Sequence, residues 1–206
     1  MRRRATILSL LSLVVALAWP AGSSATAPNN QAASYEFFME EPNVAMASNG
    51  DTIAITGEGE FAVHPKSASG EGEFTAMSAG GQTVAGTWTV NGLVDFQPYG
   101  CGAIPSIGAT LPPNLCGGRL SLDVTFTAPE GSVPGRITVF CVIGPQAPPT
   151  HDNPTEAGEE GVTAVVPGID NFNKQVSGMN VYVQQQLQDS EGGRRTTPSR
   201  PRGLSS

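Results

Sequence analysis

Imidazoles and cations are scarce in this chain. His64 and His151 are the two histidines among 206 residues, and neither lies in a G-x-S-x-G or H-E-x-x-H setting. A serine or cysteine triad needs a base beside its nucleophile, and a histidine-rich zinc site needs clustered imidazoles. Neither chemistry finds its residues here. No glycine-rich loop precedes a helical pattern, so phosphoryl transfer and dinucleotide binding are set aside. Lysine and arginine together number 11 against 18 acids. Between Ser34 and Gln188 the cations are Lys66, Arg119, Arg136 and Lys174 alone. Such a body repels nucleic acid and anionic lipid. Long apolar runs are also missing: the stretch from Ile7 to Leu17 is too short to cross a bilayer as a retained helix.

That stretch has another reading. Arg2, Arg3 and Arg4 precede it, and Ala25-Thr26-Ala27 follows with the small residues that signal peptidases cut beside. Residues 1–27 are therefore expected to be a signal peptide and the protein to be exported, extracellular or in the cell envelope, with no transmembrane segment in the mature chain. No cysteine follows the cut, so a lipid-anchored start has no support. Without the three arginines, 8 cations face 18 acids, a formal charge of about −10. Residues 189–206 carry Arg194, Arg195, Arg200 and Arg202 among Gly, Ser, Thr and Pro, and are expected to form a disordered basic tail. Residues 34–188 are enough for a single hydrophobic core.

Alternation with period two recurs through this body, and no helical period does. The expectation is an all-β domain, an antiparallel β-sandwich or barrel of about 7–10 strands. Asn49-Gly50 reads as a two-residue hairpin turn, pairing Met46 with Ile53 and Val44 with Ile55. The pentapeptide Gly57-Glu58-Gly59-Glu60-Phe61 recurs as Gly70-Glu71-Gly72-Glu73-Phe74. A turn at Pro65 to Ala68 would set Phe61 opposite Gly72 and Phe74 opposite Gly59, each ring covering a glycine. A three-residue loop at Ala79-Gly80-Gly81 would set Phe74 opposite Gly86 and Trp88 opposite Gly72. The same inner face continues through Val84, Val90, Val94 and Phe96, which makes Trp88 a core residue rather than a sugar-stacking platform.

Downstream, Leu120, Leu122, Val124 and Phe126 alternate with polar residues, as do Ile137, Val139, Cys141 and Ile143. A turn between Pro129 and Gly135 would pair Phe126 with Ile137 and Leu122 with Cys141. Shorter strands are expected at Val162 to Val166 and Met179 to Gln184, and an opening strand at Tyr35, Phe37 and Met39. Three cysteines are an odd count for an exported chain. Cys101 and Cys116 bracket a Gly- and Pro-rich loop and are the expected disulfide, leaving Cys141 a buried thiol. The alternative ties Cys141 to one of the other two.

Carboxylates are the plentiful reactive groups. The register above places Glu60 across from Glu73, with Glu58 and Glu71 beside them on the outer face. Like charges so placed repel, and four carboxylates could hold calcium, which favours several oxygen ligands. A solvated, edge-protecting face is the plainer reading, and no other cofactor is expected. The acids Asp152, Glu156, Glu159 and Glu160 lie in the long connection from Gly144 to Gly161. That connection and the cysteine-bracketed loop, with Tyr99, Pro112 and Pro113 as an apolar patch, are the expected partner surface.

Asn49-Gly-Asp-Thr52, Gly57 to Phe61 with Val63-His-Pro-Lys66, Gly86-Thr-Trp88, Leu111-Pro-Pro-Asn114, Gly158-Glu-Glu-Gly161 and Asn171-Phe-Asn-Lys174 with Val176-Ser-Gly178 resemble segments of an uncharacterised family of small β-rich bacterial proteins. The resemblance spans about Pro42 to Val183 and implies no activity and no site residue, because that family has none assigned. Two functional classes follow from the residues themselves. The first is an exported non-catalytic binding or structural module using its end loops on a protein or carbohydrate. The second is a secreted carboxylate-dependent hydrolase acting on polysaccharide, which would need a cleft holding two acids.

Overall fold

The computed structural model describes residues 33–148 and 160–185. The expected signal peptide, the basic tail, His151, Asp152, Glu156 and Glu159 lie outside the described residues. The regular elements among the described residues are all strands, apart from one 3-10 turn at Pro105–Ile107. The strands are β1 (Ser34–Met46), β2 (Thr52–Ala62), β3 (Ser67–Met77), β4 (Thr83–Cys101), β5 (Ala103–Ile104), β6 (Ala109–Thr110), β7 (Leu115–Ala128), β8 (Gly131–Cys141), β9 (Gly161–Val166), β10 (Asp170–Phe172), β11 (Lys174–Ser177) and β12 (Asn180–Gln185). Ten of them form one antiparallel sheet, and β5 and β6 pair separately within the Cys101–Cys116 loop.

The large sheet closes at one end and parts at the other. Its ladders run β12-β1-β2-β3-β4-β7, and β7 returns to β12 through Leu115 and Cys116, completing a ring. From Gly118 onward the same edge of β7 pairs with β8 instead, which leads to β9 and β10. Strand β1 makes a matching switch. Residues Ser34 to Met39 pair with β12, and Val44 to Met46 pair with β11. The switch falls at Glu40-Glu41-Pro42, which bulge out of the β1–β2 ladder, a place where proline's missing N–H costs no ladder bond. Two buried asparagines hold this joint. The Asn180 side-chain amide donates to Asn43 Oδ1 at 2.9 Å, to the Phe140 carbonyl at 2.9 Å and to the Gly161 carbonyl at 3.1 Å.

The inner faces of β1–β4 and β7–β10 share one core that includes Phe37, Ile55, Trp88, Leu122, Val139 and Val162. The alternating patterns expected for β2, β7, β8 and the first half of β1 (Tyr35, Phe37 and Met39) are the ones buried, and Trp88 is fully enclosed. The β3–β4 ladder has the expected register: Phe74 faces Gly86, Gly72 faces Trp88, and Ala79 to Gly81 form the loop.

Three other registers differ from expectation. In β2–β3, Phe61 faces Ala68 and Gly72 faces Gly57, because the four-residue turn falls two residues earlier, at Val63–Lys66. The displacement is an even number of residues, so every side chain keeps its face. Likewise β7 and β8 turn directly at Pro129-Glu130, which sets Cys141 opposite Gly118 and Leu122 opposite Ile137. The β1–β2 turn is off by one. Ala47 N–H donates to the Asp51 carbonyl and Gly50 takes a φ of +89°, so Ser48-Asn49-Gly50 is a three-residue loop with glycine in the left-handed position. Ala45 therefore meets Ile53 and Asn43 meets Ile55, while Val44 and Met46 take the other face.

On β4, bulges between Val90 and Gly92 and between Leu93 and Asp95 bring Leu93, not Val94, to the core. Each bulge reverses the alternation, and two restore it by Phe96.

Candidate functional site

Rings lie over glycines across the closed half of the sheet. A Cβ on Gly72 would come within 2.7 Å of the Trp88 indole nitrogen, and one on Gly59 within 2.7 Å of the Phe37 ring. Phe74 covers Gly86 at 2.8 Å and Phe96 covers Gly118 at 2.7 Å in the same sense. Phe61, expected over Gly72, instead stacks on Tyr35 at 5.0 Å between centroids and meets Phe96 edge-on at 4.7 Å. This packing consumes the inward-facing aromatic side chains, while Phe38 and Phe140 are half-buried on the outer faces.

At the parted end the core is open. Beyond the last β4–β7 pair, Thr87 with Thr127, the two strands no longer pair. Between them lies a cavity of about 490 Å³. Ile53, Phe74, Ala76 and Val84 line one wall, and Phe126, Ala128, Val133, Val166, Ile169 and Phe172 the other. Val84 and Ile169 are 41% and 67% exposed at its mouth. Four hairpin turns surround it, those after β1, β3, β7 and β9. Three of them, those after β1, β3 and β9, are tied together by side chains. Asn49 Nδ2 donates to Asp170 Oδ2 at 2.9 Å, which bridges the β1–β2 turn to β10, and Ala79 N–H donates to Asp51 Oδ1 at 2.7 Å. The polar lining consists of Glu130 and Ser132 at the β7–β8 turn. An apolar concavity of this size with few polar groups is the usual form of a small-molecule site.

The expected partner surface lies at the opposite end. Cys101 and Cys116 are joined there as a disulfide, directly across the β4–β7 ladder. Pro112 and Pro113 are exposed, but Tyr99 is buried at 4% exposure and cannot contribute to a patch. The Tyr99 backbone is tied down as well: the Gln146 N–H donates to the Tyr99 carbonyl at 2.8 Å.

The outer acidic face differs in its pairings. In the β2–β3 ladder Glu58, not Glu60, lies across from a glutamate, Glu71, while Glu60 faces Ser69 and Glu73 faces Thr56. Glu36 on β1 adds a further carboxylate opposite Glu60. These side chains border an open depression with Phe38. Among the described residues no three His, Cys, Asp or Glu side chains converge closely enough to hold a metal ion.

A third cluster, missed in the sequence as a group, lies near the asparagine joint. Glu160 accepts the Asn180 backbone N–H at 3.0 Å. Burial pushes its carboxyl up to about 7, against the lowering effect of that hydrogen bond. Cys141 is a free, buried thiol whose Sγ–H points at the Cys116 carbonyl, 3.5 Å away. Burial first, and the Glu160 charge second, push its pKa far above the ordinary thiol range. A nucleophilic cysteine needs the opposite shift. Tyr182, fully buried, donates to the Val139 carbonyl at 2.9 Å, and burial holds its phenol neutral. This cluster is a buried polar joint, hydrogen-bonded except at Asn180 Oδ1, which is buried without a partner among the described residues. No signal in the sequence joins these residues, because Asn43 and Asn180 stand 137 positions apart.

The chain matches no family model, no curated protein and no solved structure.

Proposed function

We propose that this chain is an exported, non-catalytic binding domain that takes a small apolar ligand at the parted end of its sheet. The observation that carries the reading is the open apolar cavity framed by four hairpin turns. Its walls belong to paired strands, so the site is held by the ladders and not by long loops. A disulfide suits an oxidising compartment, and the signal-like start accounts for export. The hydrolase alternative asks for two carboxylates facing across a cleft. Glu58 and Glu71 stand exposed on an open outer face, which favours binding over hydrolysis.

The test is N-phenyl-1-naphthylamine, a neutral probe whose fluorescence rises in apolar surroundings, titrated into the purified protein. Saturable binding is expected, and Ala76→Phe, which projects a ring into the cavity, is expected to abolish it while the protein still melts cooperatively. Absence of saturable binding to the parent, or equal binding to the variant, overturns the reading.

A further inference from the structure

The mouth of the cavity is one-sided in charge. Glu130 lines it directly. Asp170 immediately follows Ile169, a lining residue, and Asp51 stands two positions before Ile53, another. The Asp170 carboxylate receives Asn49 Nδ2 and its own chain's Asn171 N–H, and the Asp51 carboxylate receives Ala79 N–H. None of the three acids has an ion-pair partner among the described residues.

The four described cations are occupied elsewhere or turned away. Arg136 pairs with Asp123 at 2.9 Å on the outer surface and Arg119 with Asp95 at 3.3 Å. Lys66 caps the Val94 carbonyl near the β2–β3 turn. Lys174 on β11 lies opposite Met46, whose neighbours Ala45 and Ala47 are the inward pair. An apolar bore whose rim carries carboxylates and no facing cation discriminates between head groups. It attracts a positive one and repels an anion, since charge complementarity sets selectivity at a partly solvated rim.

Resting on the binding reading above, we infer that the ligand is a cationic amphipath, with its apolar body in the cavity and an ammonium-type head at Glu130. Fatty acids and other anionic amphipaths are the ones this rim disfavours.

The experiment displaces N-phenyl-1-naphthylamine from the purified protein with three ligands of equal chain length. These are dodecyltrimethylammonium, dodecanol and dodecanoate, each below its micelle-forming concentration and at low salt. Dodecyltrimethylammonium is expected to displace the probe at about threefold to fivefold lower concentration than dodecanoate, the scale of an exposed charge pair. Raising the salt to about 0.5 M should shrink the ratio as the charges are screened. Glu130→Gln should reduce it, and Glu130→Lys should reverse it. Equal displacement by cation and anion, or a preference for dodecanoate in the parent, overturns the inference but leaves the apolar site standing. Failure of the parent to bind the probe at all overturns both.

Discussion

Trp88 lies directly across the ladder from Gly72 and donates its indole proton to the Thr56 carbonyl at 2.9 Å, on the next strand over. One side chain thus spans three strands. It can do so because neither glycine beneath it has a Cβ: an atom added to Gly72 would also meet the Gly57 Cα at 2.7 Å.

Gly72→Val should therefore force the indole and the β2 backbone outward together. The expected cost is about 1–3 kcal/mol by overpacking, with partial loss of the Trp88 hydrogen bond. Gly92 provides the contrast. An added Cβ there meets nothing within 4 Å, so Gly92→Ala should melt within a degree or two of the parent. Denaturant unfolding followed by Trp88 fluorescence measures both. A Gly72→Val protein as stable as the parent would contradict the packing.

The inner and outer faces were legible in the sequence because a strand side chain's direction depends only on odd or even position. Phe61 and Leu122 were paired with the wrong partners, yet both are buried as expected, since those errors displaced the ladder by an even number. What set the true registers was an earlier turn at Val63–Lys66 and a tighter one at Pro129-Glu130, and local composition is a poor guide to where a turn begins. At Ser48-Asn49-Gly50 the error was odd. There the Asn49 side chain accepts the Asp51 N–H at 2.9 Å and fixes a longer loop than the Asn-Gly pair implied. The cavity was not legible at all. Its walls come from seven strands and two turns that converge only after the sheet has rolled.

The disulfide joins residues 15 apart and already opposed in the β4–β7 ladder. Replacing both cysteines by serine should lower stability by about 3 kcal/mol on the loop-entropy account. The β5–β6 pair within the loop should lose amide protection before the rest of the sheet, which hydrogen exchange can follow. Cys141 gives a second readout. Being buried with a raised pKa, it should resist a thiol reagent in the native protein and react once the protein is unfolded. Rapid native-state labelling of Cys141 would show that its end of β8 opens readily.

Glu160 makes stability depend on pH in an unusual direction for a carboxylate. Its folded pKa is raised from 4.5 to about 7 by burial, so the native state holds this proton more tightly than the unfolded chain does. The group's contribution is fully present below pH 4.5 and fades as pH rises through about 7. The full shift corresponds to about 3 kcal/mol, and partial solvent access at this site reduces it to about 1–3 kcal/mol. Its titratable neighbours Cys141 and Tyr182 have pKa values pushed up by burial and stay neutral across that window. Glu160→Gln keeps a side-chain oxygen to accept the Asn180 N–H and removes the ionisation. The variant should match the parent near pH 4 and exceed it by about 1–3 kcal/mol at pH 8, measured by urea unfolding at each pH. Stability curves that stay parallel from pH 5 to 8 would mean that Glu160 titrates like an ordinary surface carboxylate, and that its contact with Asn180 is too loose to hold the start of β9 against β12.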